Sequence, residues 1–386
     1  MATNQAEANP EWDGERAEEE ADRRRKAEPP PIMDGAEFLA WRSPRPGISN
    51  PTRQENPLWK WLVRTRWDAF NANNLFSGPS PYDAGPMWTF HRFGSSETKL
   101  LDGRVIHIGG EHEDHYDPDF HIYNDVTVID TTGEIFIYGY PQEDFPPTDF
   151  HSATRVGDSI FIIGRLGHPE SREREMTPVY RLSLDSMRIE VIPTRGHCPG
   201  WIYRHAAELS PDGHTILVRG GERWFGKGWA TRRNIDSWAF DPLSAEWHRL
   251  TSHGWQHWVM RRIDRKPNRL WETRQVRWHR EHAHLGLKNS WSHKDAPDLA
   301  ALDSLYRLAG ESDPPVPGAD TGSYTARIDG LTVQFREEGF WVEAIVQGHL
   351  SNSRLADLQR STMALLQRID GAPYELENLL DEGRTD

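Results

Sequence analysis

Three segments in the middle of this chain share one plan: a histidine, a polar turn with Asp and Gly, an alternating apolar strand and a closing glycine. They are HRFGSSETKLLDGRVIHIGG from His91, HSATRVGDSIFIIGR from His151 and HAAELSPDGHTILVRGG from His205. Gly109, Gly164 and Gly220 stand 55 and 56 residues apart (164 − 109 and 220 − 164). A fixed period of this length marks a repeat architecture, in which each unit buries one face against its neighbour. Each unit continues through a polar loop into a second pair of apolar runs: NDVTVIDTTGEIFIYG, TPVYRLSLDSMRIEVI and NIDSWAFDPLSAEWHRL. In these runs Ile129 and Ile135, Leu182 and Ile189, and Phe240 and Trp247 are separated by five, six and six residues. Short alternating runs bounded by turn residues read as half-buried strands.

A double glycine after an apolar strand, then an aromatic and a tryptophan at this spacing, resembles the kelch family, whose repeats of about 50 residues each build one four-stranded propeller blade. Gly220, Gly221, Phe240 and Trp247 carry the resemblance in the third unit, and Gly109 with Gly110 in the first. The first unit has no tryptophan, and the second has Arg165 for the second glycine and Ile189 for the tryptophan. The likeness covers roughly residues 90 to 255. It implies a mainly β fold, a kelch-like β-propeller with three recognisable blades. The propeller is divergent or incomplete, because closed rings have about four to eight.

The flanks differ in composition. Residues 1–35 hold EEEADRRRKAEPPP, too poor in apolar side chains to offset ordering entropy, and are expected to be a disordered charged tail. Residues 36–90 form an aromatic accessory segment. Within it NPLWKWLVRTRWDAFNANNLF places Leu58, Trp61, Leu62, Trp67 and Phe70 at near-helical intervals and reads as a short helix that packs on the neighbouring repeat. After the blades at 91–255, residues 256–322 read as a basic, Trp-rich linker arm. From Met260 to Arg280 eight Arg or Lys face only Asp264 and Glu272, and Pro267 should interrupt a helix there. Residues 323–386 read as a small α+β unit: ARIDGLTVQF and FWVEAIV as strands, then an amphipathic helix with Leu355, Leu358, Met363, Leu365, Leu366 and Ile369 mainly on one face.

Composition narrows the function classes. The formal charge of −14 repels phosphate, so nucleic acid is not an expected partner in general. No stretch approaches the apolar length of a membrane span, and the first residues lack a basic-then-apolar leader. The single cysteine, Cys198, excludes an intramolecular disulfide framework and fits a reducing, cytoplasmic location.

Two groups of residues carry candidate chemistry. The stretch HEDHYDPDFH offers His112 and His115 as imidazole ligands and Asp114, Asp117 and Asp119 as oxygen ligands to a divalent cation. It has neither the order of an EF-hand loop nor the helical spacing of HExxH, and Pro118 opposes a helix. Its other reading is a polar loop between strands. The repeated His91, His151 and His205, with Asp149 and Arg204 beside them, would form a convergent ligand-binding set around a propeller axis, Arg204 attracting an anion. Their other reading is structural hydrogen bonding between blades. Galactose-oxidase-like propellers bind copper through tyrosine and histidine, one tyrosine being linked to cysteine. Cys198 sits in RGHCPGW without a tyrosine-rich partner motif, so that activity does not carry over. The sequence therefore points to a binding or scaffold protein that takes a protein or small polar ligand on a propeller face, with no cofactor expected. A metal-assisted enzyme using the 111–121 loop and the repeated histidines is the alternative. A nucleic-acid-associated protein working through residues 260–280, with interleaved Trp271 and Trp278, is the third reading; the nearby His279, His282 and His284 stand close enough to share a metal.

Overall fold

The computed structural model describes residues 20–114, 117–224, 226, 231–281, 299–305, 316–317 and 323–379. The chain divides between Ser252 and His253 into two compact units.

The N-terminal unit is mainly β. Its first sheet is an antiparallel meander of β2 (Ser96–Lys99), β3 (Val105–Ile108), β6 (Val126–Ile129) and β7 (Ile135–Gly139), with the short β1 (Thr52–Arg53) along the edge of β7. A hairpin of β4 (Glu111–Asp114) and β5 (Asp117–Ile122) is inserted between β3 and β6. The second sheet repeats the meander with β8 (Ser152–Val156), β9 (Ser159–Ile163), β10 (Val179–Ser183) and β11 (Ile189–Val191). The third uses β14 (Ala206–Leu209), β15 (Ile216–Arg219), β18 (Trp238–Asp241) and β19 (Glu246–Arg249), and β12 (Arg195–Gly196) runs parallel to β19; β13 (Ile202–Tyr203), β16 (Glu222–Trp224) and β17 (Thr231–Arg233) form a small separate sheet. The pairs read from the sequence spacing face each other across the last hairpin of each sheet: Ile129 opposite Ile135, Leu182 opposite Ile189, Phe240 opposite Trp247.

Strand alternation explains how the sheets stack. On β9, Ile160 and Ile162 point to the first sheet and join Ile106, Ile108, Val126 and Val128 in one core. Phe161 and Ile163 point the other way, into a second core with Ile216, Val218, Trp238, Phe240 and Trp247. The opening strands β2, β8 and β14 are neighbours in turn. Among the described residues the three sheets form a run and not a closed ring.

The aromatic segment takes the place of a further sheet on the outer face of the first. α1 (Gly35–Arg42), α2 (Pro57–Thr65) and α3 (Ala69–Leu75) bury Phe38, Leu58, Trp59, Trp61 and Leu62 against Ile135 and Ile137. The single helix expected here is two. α2 starts with Asn56 accepting from the Trp59 amide and Pro57 at its first position, and ends at Arg66 in the left-handed region (φ 56°). Asp68 then caps α3. Part of the expected charged tail is also held against α2. The carbonyl of Glu28 accepts from Trp61 Nε1 at 3.2 Å, and its carboxylate pairs with Arg64 at 2.8 Å. Residues 1–19 lie outside the described residues.

The C-terminal unit is a six-stranded sheet in the order β21 (Val316–Pro317), β22 (Ser323–Ile328), β23 (Leu331–Glu338), β24 (Trp341–Val346), β20 (Gln256–Arg262), β25 (Tyr374–Asn378). It packs on α4 (Arg269–Glu281), α5 (Leu299–Leu305) and α6 (Asn352–Asp370) through Trp258, Met260, Leu270, Leu305, Phe335, Leu358 and Leu366. All six apolar residues read on α6 belong to this core or lie against it. The expected linker arm is thus part of the unit itself. Pro267 precedes α4 instead of interrupting it, and Asn268 caps the start, accepting from the Trp271 amide at 2.8 Å. Among the described residues no helix is long and apolar enough to cross a membrane.

Candidate functional site

The sheet registers align the units more closely than the sequence does. Ser96 pairs with Ile108, Ser152 with Ile163 and Ala206 with Arg219, each partner standing directly before the repeat glycine. The residue before each first strand is therefore Ser95, His151 and His205, and His91 lies upstream of the matching place. His151 Nε2 meets Ser96 Oγ of the preceding sheet at 2.8 Å, and His205 Nε2 meets Ser152 Oγ at 2.8 Å. The same latch joins both sheet boundaries. It has no histidine at Ser95 to continue it backward and no hydroxyl at Ala206 to continue it forward. Both rings are buried, each with Nδ1 away from any hydrogen-bond partner. Protonation would bury a second N–H without an acceptor, and burial depresses the pKa of His151 to about 3 and of His205 to about 4.

A backbone ladder runs beside the latches. The amide of Phe150 donates to Gly94 O at 2.7 Å and the amide of Arg204 to Phe150 O at 2.8 Å. All three residues have positive φ, +62°, 49° and 55°. The Arg204 guanidinium lies 4.4 Å from the Phe150 ring centroid and 3.8 Å from Glu222. Asp149 is fully buried, and its Oδ1 accepts from the Gly167 amide at 2.7 Å. Burial raises its pKa, opposed by the Gly167 amide, the neighbouring Glu111 and Arg165. Asp149, His151 and His205 are thus used within and between the sheets.

The acidic, His-rich stretch is a hairpin, not an open loop. His112 pairs with His121 across it and Asp114 with Asp117. Burial, with Arg92 adding to it, lowers the His121 pKa to about 4. His115 and the side chains of Asp114, Asp117 and Asp119 lie outside the described residues, as do His282, His284 and the side chains of Trp278 and His279. Among the described residues no group of three or more His, Cys, Asp or Glu comes together to hold a metal ion.

Of the expected residues, His91 lines a cavity of about 220 Å³ on the outer face of the first sheet. Its wall is the cross-strand row Glu97, His107 and Thr127. The corresponding row of the second sheet is Ala153, Ile162 and Tyr180, which packs against the first sheet. Phe90 meets the His107 ring edge-on at 4.9 Å, and the Arg66 guanidinium lies 5.0 Å from the Phe90 centroid. Burial lowers the His107 pKa to about 4, outweighing the opposing Glu97, so the ring is neutral at pH 7. Arg92 also reaches the cavity, but donates to Thr89 O at 2.7 Å, to Gly109 O at 3.0 Å and to both oxygens of buried Asp125. Gly109 closes the floor at φ +56°, where a Cβ would come within 2.1 Å of Thr148 O. Sequence reasoning passed over Arg66, Glu97 and His107. The available signal was RVIHIGG, in which a histidine takes the place that FIIG fills with isoleucine.

No family model matches the chain, and no curated protein matches it. Among solved structures it is similar to a fungal alcohol oxidase of the AA5 family, solved in complex with copper, over 43% of this chain and 45% of the oxidase at 15% identity and a TM-score of 0.29. The chain spans less than half of that oxidase's length, and a likeness this distant carries no argument about function.

Proposed function

We propose that the N-terminal unit is an open, kelch-like propeller arc of three blades that works as a binding module for a small polar ligand, with its site in the cavity beside His91. The observation that carries this reading is the polar row Glu97, His107 and Thr127 on a sheet face whose counterpart in the next sheet is apolar and covered. A face meant only to receive another sheet would bury apolar side chains, since unpaired polar groups there cost free energy. The repeated histidines support the reading from the other side. Engaged with Ser96 and Ser152, His151 and His205 join neighbouring sheets and are not aimed at a ligand.

Thermal unfolding of the whole chain against a panel of small polar compounds tests this. A ligand at a hundred times its Kd stabilises the folded state by about 2.7 kcal/mol. Stabilising compounds are expected to lose their effect in His107→Phe, whose ring fills the cavity, and to keep it in His112→Ala. Compounds that lose their effect in His112→Ala and keep it in His107→Phe would move the site to the hairpin.

A further inference from the structure

We infer that the cavity takes a small monocarboxylic acid, its carboxylate held by Arg66 and hydrogen-bonded by His107; this rests on the cavity being the ligand site. The charges around it decide the class. Arg92 is neutralised by Asp125, and Glu97 has Lys99 at 3.6 Å and His107 Nε2 at 3.9 Å. Arg66 has no carboxylate within ion-pair distance among the described residues, and its guanidinium rests on the Phe90 ring, which leaves its donors available to an anion. Two features select a single charge. Glu97 repels a second negative charge, and Arg66 sits at the C-terminal end of α2, where the helix dipole is negative. Both penalties grow with charge, so they weigh about twice as much on a dianionic phosphate as on a carboxylate. Size agrees: about 220 Å³ is roughly seven water volumes, room for a compact hydroxy acid, with Ser95 and Thr127 as hydroxyl-bearing neighbours of the ligand.

The test is a titration of the whole chain with glycolate, ethylene glycol and inorganic phosphate, followed by the NMR signals of the His107 ring and by calorimetry. Glycolate is expected to move His107 and to bind more tightly than phosphate. Arg66→Gln should weaken glycolate binding by about tenfold or more, as expected for loss of a charge-assisted contact, and Arg66→Lys should restore part of it. A thermal melt of each variant checks that it is folded. If ethylene glycol moves His107 as readily as glycolate and Arg66→Gln changes nothing, the cavity is a ligand site and the assignment of a carboxylate is wrong. Phosphate binding tighter than glycolate also overturns the assignment. If none of the three moves His107, the cavity reading fails and this inference with it.

Discussion

At the residue scale, the two latches explain why histidine recurs at the sheet boundaries. A serine would be too short to reach the preceding sheet's hydroxyl, and a lysine would bury a charge. In a double-mutant cycle of Ser152→Ala with His205→Ala, denaturant unfolding is expected to give a coupling of about 1 kcal/mol, typical of a buried hydrogen bond between contacting residues. Additive effects would mean that the two side chains do not interact. The rings also set a pH dependence. Their folded pKa values of about 3 and about 4 lie below the unfolded value near 6.5. The unfolded chain therefore binds more protons in that interval, and stability falls as pH drops from 6.5 towards 4. Each ring contributes up to about 1.4 kcal/mol per pH unit, so unfolding midpoints should decline on acidification through this window. Flat midpoints would contradict buried neutral rings. The sequence showed the recurrence of histidine but misplaced its first member: His91 stands four positions before Ser95, and only the β2–β3 register reveals the shift.

At the scale of elements, strand order and hairpin partners were legible because alternation and turn residues are local signals. Phe240 and Trp247 stood out by their spacing, and the strand register sets them opposite each other with their rings 5.0 Å apart in the core. Trp247 is 1% exposed, and Trp247→Ala is expected to destabilise the unit by about 3–5 kcal/mol. A loss under about 1 kcal/mol in chemical denaturation would be incompatible with that burial. Gly164→Ala should also be costly, since the added Cβ would come within 2.3 Å of Ile202 O at a φ of +67°. A variant as stable as the parent would show that this approach of the backbone is loose. The split between α2 and α3 was not legible, because the apolar period continues through Arg66 and only a left-handed residue there ends the first helix.

At the scale of the molecule, the repeat gave the three sheets but not what stands beside the first of them, because the helices that cover it carry no repeat signal. The C-terminal unit shows the opposite failure. Its basic N-terminal stretch looked like an arm, since charge obscured Trp258, Met260 and Leu270, which lie in the core. The candidate site was legible only in His91. The cavity is made by residues from a helix end, a connecting segment and two strands, and such convergence has no local signature. Central to the proposed function is a structural role for His151 and His205, which leaves binding to the outer face of the first sheet. The most direct measurement is a histidine-resolved NMR titration of the whole chain from pH 8 to pH 5. His151 and His205 are predicted to stay neutral throughout. Titration of either ring near 6.5, the value of a free imidazole, would mean that the latches are open to solvent and would contradict that role.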